Sequence, residues 1–255
     1  LSVVLIGTVY PIFLDVISSQ KISVGPPFYH KLIAPFLIPF LFAMAIGPRL
    51  KWIRSDLKDK IYLISLLIIS ILISFFIVKN FNTNILINTI LISSAFYLFF
   101  ITLKDFFNTK YKNFAQNTAH FGFSLLILSI LFNNLFSSEI ITNLKVGETY
   151  DNSKTKIVFE SINQKKEKNY KSIIANFNIT NSEGINNNLS PELRIYNQPN
   201  ITTSEADIKT TLMKDKFIVI NLVQNQDYFN VRYQVKPFML WIWLSVIMIS
   251  LGGLV

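Results

Sequence analysis

Two histidines, His30 and His120, are where chemistry could sit in this chain, and their settings differ. His120 stands in Asn117-Thr-Ala-His120-Phe-Gly-Phe-Ser124, roughly 9 Å inside a long apolar run at 1.5 Å of rise per residue. An ionisable side chain at such a position is a functional candidate by default, because unsatisfied polarity in hydrocarbon is costly. A neutral imidazole is also a good axial ligand for haem iron, and Gly122 beside it lets a flat macrocycle or a neighbouring helix approach closely. The competing reading is a histidine that only bonds an adjacent helix. His30 lies beside Phe28 and Tyr29 between apolar runs and reads as an ordinary interfacial residue. The two cannot hold one iron together: axial ligands lie about 4 Å apart across the metal, whereas one imidazole is outside the bilayer and the other roughly 20 Å deeper. A second histidine for an iron on His120 is therefore expected from outside this chain.

The elements that must position His120 are apolar runs of the length needed to cross about 30 Å of hydrocarbon, roughly 20 residues each. The expected spans are 33–47, 61–78, 85–103, 114–136 and 238–255, with a sixth, 1–14, that looks cut short at its start. The composition agrees, with 51% hydrophobic and 15% charged residues over 255 positions. The fold class expected is a polytopic α-helical membrane protein with a small outward β-rich domain inserted before the last span.

The net charge of +9 would favour nucleic acid in a soluble protein, but here it reports orientation. Arg49, Lys51, Arg54, Lys58 and Lys60 follow the second span and Lys104, Lys110 and Lys112 the fourth, against only Lys21, Lys31 and Lys79 in the opposite loops. The positive-inside rule then makes the two basic loops cytoplasmic, or matrix-facing in a mitochondrion, and turns 138–237 outward. That segment changes composition to Asn, Lys, Ser and Thr, a bias that an AT-rich genome also produces. Period-two alternation over Ile173–Thr180 and Phe229–Lys236 predicts strands, joined by 156–162 and 216–223 in a small antiparallel sheet or barrel. Asn181 to Asn188 reads as a loop.

The remaining features are architectural. Gly25-Pro26-Pro27 predicts a stiff outward turn, Pro35 and Pro39 a kinked span, and Trp52, Trp241 and Trp243 anchors at the membrane interface. Glu192, Arg194 and Arg232 are candidate contact residues of the outward domain. There is no Ser-His-Asp arrangement, P-loop, dinucleotide fingerprint or zinc spacing, which excludes a self-contained hydrolase, ATPase or dehydrogenase of those types.

Three stretches together resemble the CcmF family of cytochrome c maturation proteins, which includes CycK and the nitrite-reductase homologue NrfE. Ile6-Gly-Thr-Val-Tyr-Pro11 followed by Lys21-Ile-Ser-Val-Gly-Pro-Pro-Phe28 is similar to the family's Leu-Gly-Thr-Leu-Tyr-Pro and Ser-Val-Gly-Pro-Pro loop. Ala119-His120-Phe-Gly122 is similar to the Ala-His-x-Gly that carries a transmembrane haem-ligating histidine. Ser190-Pro-Glu-Leu-Arg-Ile-Tyr196, Thr203-Ser-Glu-Ala-Asp207, Lys236-Pro-Phe-Met-Leu-Trp-Ile-Trp243 and Leu251-Gly-Gly253 complete the set in the family's order.

The resemblance implies a component of a haem lyase in a bacterial inner membrane, or a mitochondrial one, with its large domain in the periplasm. Such a lyase takes haem from the chaperone CcmE and passes it to apocytochrome c held by CcmH and CcmI-type subunits. It also implies a structural haem b between two transmembrane histidines, of which His120 matches one, that keeps the substrate haem iron reduced by way of quinol. Thioether bonds form to the apocytochrome's own cysteines, so a cysteine-free chain is no objection. The family's tryptophan-rich motif, its two outward histidines and its first transmembrane histidine are not matched here, and His30 stands where the family has asparagine. The chain by itself is accordingly expected to be inactive, as part of a longer product or half of a split one. A membrane scaffold or permease is the rival class, and it has no need of Ala119, His120 and Gly122.

Overall fold

In a computed structural model of the chain, residues 2–18, 26–50, 60–81, 84–108, 113–182, 184–223 and 227–254 are described, with side chains left out at 2–4, 18 and 26–32. The segment containing Lys21 to Gly25, Trp52 and the loop lysines at 51, 58, 110 and 112 lies outside them, as do Arg54 and the side chain of His30. The chain divides into two compact units, one of residues 1–128 with 245–255 and the other of residues 129–244.

The first unit is helical. Helices α1 (Ser2–Ser18), α2 (Pro26–Ile46), α3 (Lys60–Val78), α4 (Ile85–Phe107) and α5 (Phe114–Phe136) precede the β domain, and α6 (Met239–Leu254) follows it. Among the described residues α3, α4 and α5 are long and apolar enough to cross a membrane, and three shorter helices are apolar. Three helix boundaries differ from expectation by four residues or more, α4 running on to Phe107 where 103 was expected. Helix α1 continues to Ser18, and α2 begins at Pro26, so the expected turn at Pro26-Pro27 is the first turn of a helix. Proline is well suited there, because a first-turn N–H has no intrahelical acceptor to lose. The helical run continues through Pro35 and Pro39.

Hydroxyl groups inside these helices turn back on their own backbone. Ser70, Ser74 and Thr118 donate to the carbonyls of Leu66, Ser70 and Phe114, four residues earlier, at 2.7–2.8 Å. In hydrocarbon that satisfies the hydroxyl without a partner helix. Asn84 caps α4, its side chain accepting from the Ile87 amide. Bases at helix ends cover aromatic faces: Lys79 lies 4.6 Å from the Phe76 ring centre and Lys104 3.8 Å from that of Tyr62.

Among the described residues the second unit holds ten strands, from β1 (Ser138–Leu144) to β10 (Phe229–Pro237). One sheet has the order β1, β10, β9 (Lys214–Leu222), β8 (Asp207–Thr210). The other runs β2 (Thr149–Asp151), β3 (Thr155–Lys166), β4 (Tyr170–Asn181), β6 (Glu192–Tyr196), β7 (Thr202–Glu205), with β5 (Asn186–Leu189) also on β4. All the pairings are antiparallel. The two sheets close on one core, to which Ile218, Ile220, Val231 and Tyr233 come from the first and Ile157, Phe159, Phe177 and Ile179 from the second. The Phe159 ring meets Phe229 of the other sheet edge-on at 5.7 Å. The domain is thus a sandwich of two sheets. The expected loop at 181–188 is a correction: β4 runs to Asn181 and Asn186 starts β5, paired through Phe177↔Leu189. Gly184, at φ +75°, makes the tight turn between them, a conformation that costs glycine little.

Candidate functional site

Helix α5 positions His120 through three faces. Ala115, Ala119 and Gly122 recur at helical spacing and meet α6. A Cβ placed on Gly122 would stand 3.0 Å from the Ile249 nitrogen and 3.0 Å from the Met248 Cβ. The close approach that Gly122 permits is therefore that of a neighbouring helix, the second of the two expected uses. On the next face Phe121 stacks on Phe106 of α4 at 5.1 Å and tilts against Phe99 at 5.6 Å. On that face Ser124 shares a 2.8 Å hydrogen bond with Thr102, and the Asn117 amide donates to the Asp105 carbonyl at 3.1 Å. On the third face Phe123 packs edge-on against Phe40 of α2 at 5.9 Å.

At about 100° per residue His120 falls between the face that meets α4 and the side bearing Phe123, roughly 40° from Ser124 and 60° from Phe123. It is partly exposed, and among the described residues its imidazole has no hydrogen-bond partner. Both ring nitrogens are uncommitted, and a nitrogen lone pair is what an iron centre requires of this residue. Among the described residues His120 is thus the side chain that could hold a haem iron.

Of the other expected residues that are described, Glu192, Arg194, Arg232 and Trp241 are engaged within the structure. Arg194 pairs with Glu192 at 3.0 Å and reaches Glu205 at 3.7 Å, with its guanidinium 5.3 Å from the Tyr170 ring centre. The bond to Arg194 holds the Glu192 carboxyl below the usual carboxylate range. Arg232 pairs with Glu139 across β1 and β10. Trp241 donates from Nε1 to the Leu212 carbonyl at 3.0 Å, and Trp243 is exposed. Sequence reasoning missed the pairing of Arg49 with both oxygens of Asp105, at 2.8 and 2.9 Å, which ties the end of α2 to α4. The signal was present: Asp105 is the one acid in the stretch from Lys104 to Lys112, which is otherwise basic.

Apolar helices carrying a two-sheet antiparallel domain, with one uncommitted imidazole on an apolar helix, define a polytopic helical membrane protein bearing a β-sandwich. Residues 135–237 match the family described as the CcmF C-terminal beta-sandwich. Over 99% of its length the chain is 24% identical to the cytochrome c-type biogenesis protein CcmF of Pseudomonas fluorescens, and equally to that of Escherichia coli, covering 40% of each. A solved structure titled Cytochrome c Heme Lyase CcmF shares the fold, with a TM-score of 0.74 at 18% identity over 99% of this chain and 42% of that one. The resemblance carried by the motifs holds. Over its whole length the chain is similar to the carboxy-terminal part of the CcmF, CycK and NrfE proteins, and it spans about two fifths of the curated relatives it matches.

Proposed function

We propose that this chain is a component of a haem lyase in cytochrome c biogenesis, and that His120 supplies one axial ligand to a haem b within the membrane. The observation that carries the reading is the uncommitted imidazole of His120, held on α5 by packing on three sides. When bound, such a haem supplies one-electron redox chemistry, which would keep the iron of a substrate haem reduced at the expense of quinol. The residues of this chain do the positioning. The small-residue contact with α6 and the ring contacts to α2 and α4 fix the rotation of α5 and so the direction of the imidazole. The apolar helices keep water from the site, and a dry surrounding is one of the levers that set the potential of a metal centre.

In this reading the β-sandwich lies on the periplasmic face of a bacterial inner membrane. There it forms part of the surface on which CcmE delivers haem and CcmH and CcmI-type subunits present apocytochrome c. A second ligand would come from a histidine outside this chain, since His30 and His120 cannot share one iron. The test is a reduced-minus-oxidised visible spectrum of the natural full-length protein, wild type against His120→Ala. Loss of the b-type bands with His120→Ala, at unchanged protein yield, is the expected result. Unchanged bands would mean that His120 is a packing residue, and a featureless wild-type spectrum together with intact cytochrome c assembly in the variant would sink the lyase reading.

A further inference from the structure

We infer that the turn between β8 and β9 is a membrane anchor, seating Leu212 and Met213 at the boundary between lipid headgroups and acyl chains. The turn is closed by Thr211, whose hydroxyl donates to the Lys214 carbonyl at 2.6 Å and whose amide donates to the same carbonyl at 3.1 Å. Its tip carries two adjacent apolar side chains, Leu212 at 62% and Met213 at 55% exposure. A soluble hairpin has polar residues at such a place.

What covers this tip follows from what its backbone binds. The Met213 carbonyl accepts from the Phe238 amide at 2.9 Å, and the Leu212 carbonyl accepts from the Trp241 indole at 3.0 Å. Phe238 directly precedes α6, and Trp241 lies within its first turn. Two successive carbonyls of the tip are therefore held at the level where the apolar helix begins. Phe238 adopts φ +61°, a left-handed conformation that a bulky residue rarely occupies. It is held there by the bond to Met213 and by its ring against Phe132 at 5.3 Å. Asn133, on the last turns of α5, donates to the Pro237 carbonyl at 2.6 Å beside it. This corner is built to keep the tip against the helix. A tryptophan whose N–H is satisfied at that height and two lysines flanking the tip in sequence, Lys209 and Lys214, complete the pattern of an interfacial segment. The occupant that fits is the lipid interface.

The absence of cysteine permits a direct test. Met213→Cys, Leu212→Cys, Ile201→Cys and Ile247→Cys in the full chain, each labelled with an environment-sensitive fluorophore, are placed in nanodiscs of phosphatidylcholine and phosphatidylglycerol. Ile201 is 50% exposed on the β domain, and Ile247 is 56% exposed on α6. Labels at 212 and 213 are expected to be quenched several-fold more than the label at 201 by a lipid with its nitroxide high on the acyl chain, and several-fold less by aqueous iodide. Iodide quenching at 212 and 213 equal to that at 201 would place the tip in water and overturn the proposal. Protection from both quenchers would mean a protein cover and would overturn it too. The inference rests on α6 lying in the bilayer, which the label at 247 reports separately: no lipid quenching there removes the membrane assignment of α6 itself, whereas quenching at 247 alone removes only the anchor.

Discussion

Gly252 of α6 lies against Ala119 of α5 so closely that a Cβ on the glycine would stand 2.8 Å from the Ala119 Cβ and 2.6 Å from its nitrogen. Atoms of backbone cannot move aside as a side-chain tip can, so this position admits glycine alone. The contact adjoins His120 in sequence, and it sets the rotation of α5 from the face that does not carry the imidazole. A membrane offers two helices little hydrophobic reason to associate, and close approach of small residues with van der Waals contact is what holds them.

Gly252→Ala is expected to lower the stability of the helical unit in detergent by about 1–3 kcal/mol, the cost of overpacking a close contact. Gly253→Ala, with nothing within 4 Å of its Cβ, is the control and should be near neutral. Equal melting temperatures for the two variants would mean that α5 and α6 do not meet at these residues. In the full-length protein Gly252→Ala should also weaken or shift any b-type signal that depends on His120.

Phe159 and Phe177, both fully buried, stack at 4.4 Å with 25° between their planes in the centre of the β core. Phe177→Ala should destabilise the β domain by about 3–5 kcal/mol, the usual result of truncating a buried aromatic ring. Thermal melting followed by the β-sheet circular dichroism signal reads it. A loss below about 1 kcal/mol would mean that the two sheets are not closed over this pair.

The Tyr233 hydroxyl is buried and has no hydrogen-bond partner among the described residues. Burial pushes its pKa up to about 12 from an ordinary value of 10.0. A raised folded-state value means that the associated stability is present below the ordinary pKa and is lost as the pH rises through the folded one. Tyr233→Phe should therefore equal or exceed wild-type stability at neutral pH, by up to about 1 kcal/mol, because it removes an unsatisfied buried group. It should also flatten the alkaline loss of stability between pH 10.0 and about 12, read from melting temperatures.

On the acidic side the relevant group is Glu139 on β1. The bond from Gln234 at 2.6 Å, then that from Arg232, holds its carboxyl below the usual range. A lowered folded-state value contributes stability that is present above the ordinary carboxylate pKa and is lost as the pH falls through the lowered one. Melting of the β domain should accordingly decline from about pH 5 downward, and Glu139→Gln should show a shallower decline. Identical acid profiles would mean that the β1 to β10 bridge does not form in solution.

Much of this architecture was legible from residue order. The apolar runs marked the helices because crossing hydrocarbon demands length and hydrophobicity, and neither depends on what packs against them. Strands β4 and β10 showed themselves by alternation because each has one face on the core. Strand β5 did not, since Asn186-Asn-Asn-Leu189 has no apolar alternation and is a strand only because β4 offers it a partner. The bulge in β3 was equally hidden. Phe159 pairs with Phe177 but Ser161 pairs with Asn176, which leaves Glu160 as the extra residue and returns Ile162 to the core side. A strict period of two would have sent Ile162 outward.

The candidate site divides along the same line. His120 was visible by itself, as an ionisable residue in an apolar run, and Ala119 and Gly122 were visible as small residues beside it. Residue order alone determined which side chains share a face of α5, because the helical period is a local property of the backbone. Only the tertiary structure decided that the small face meets Gly252, that Phe121 and Ser124 meet α4, and that Arg49 finds Asp105 across helices. Those meetings depend on which helix is laid against which, a choice made by the sum of many weak contacts that no single stretch of sequence contains.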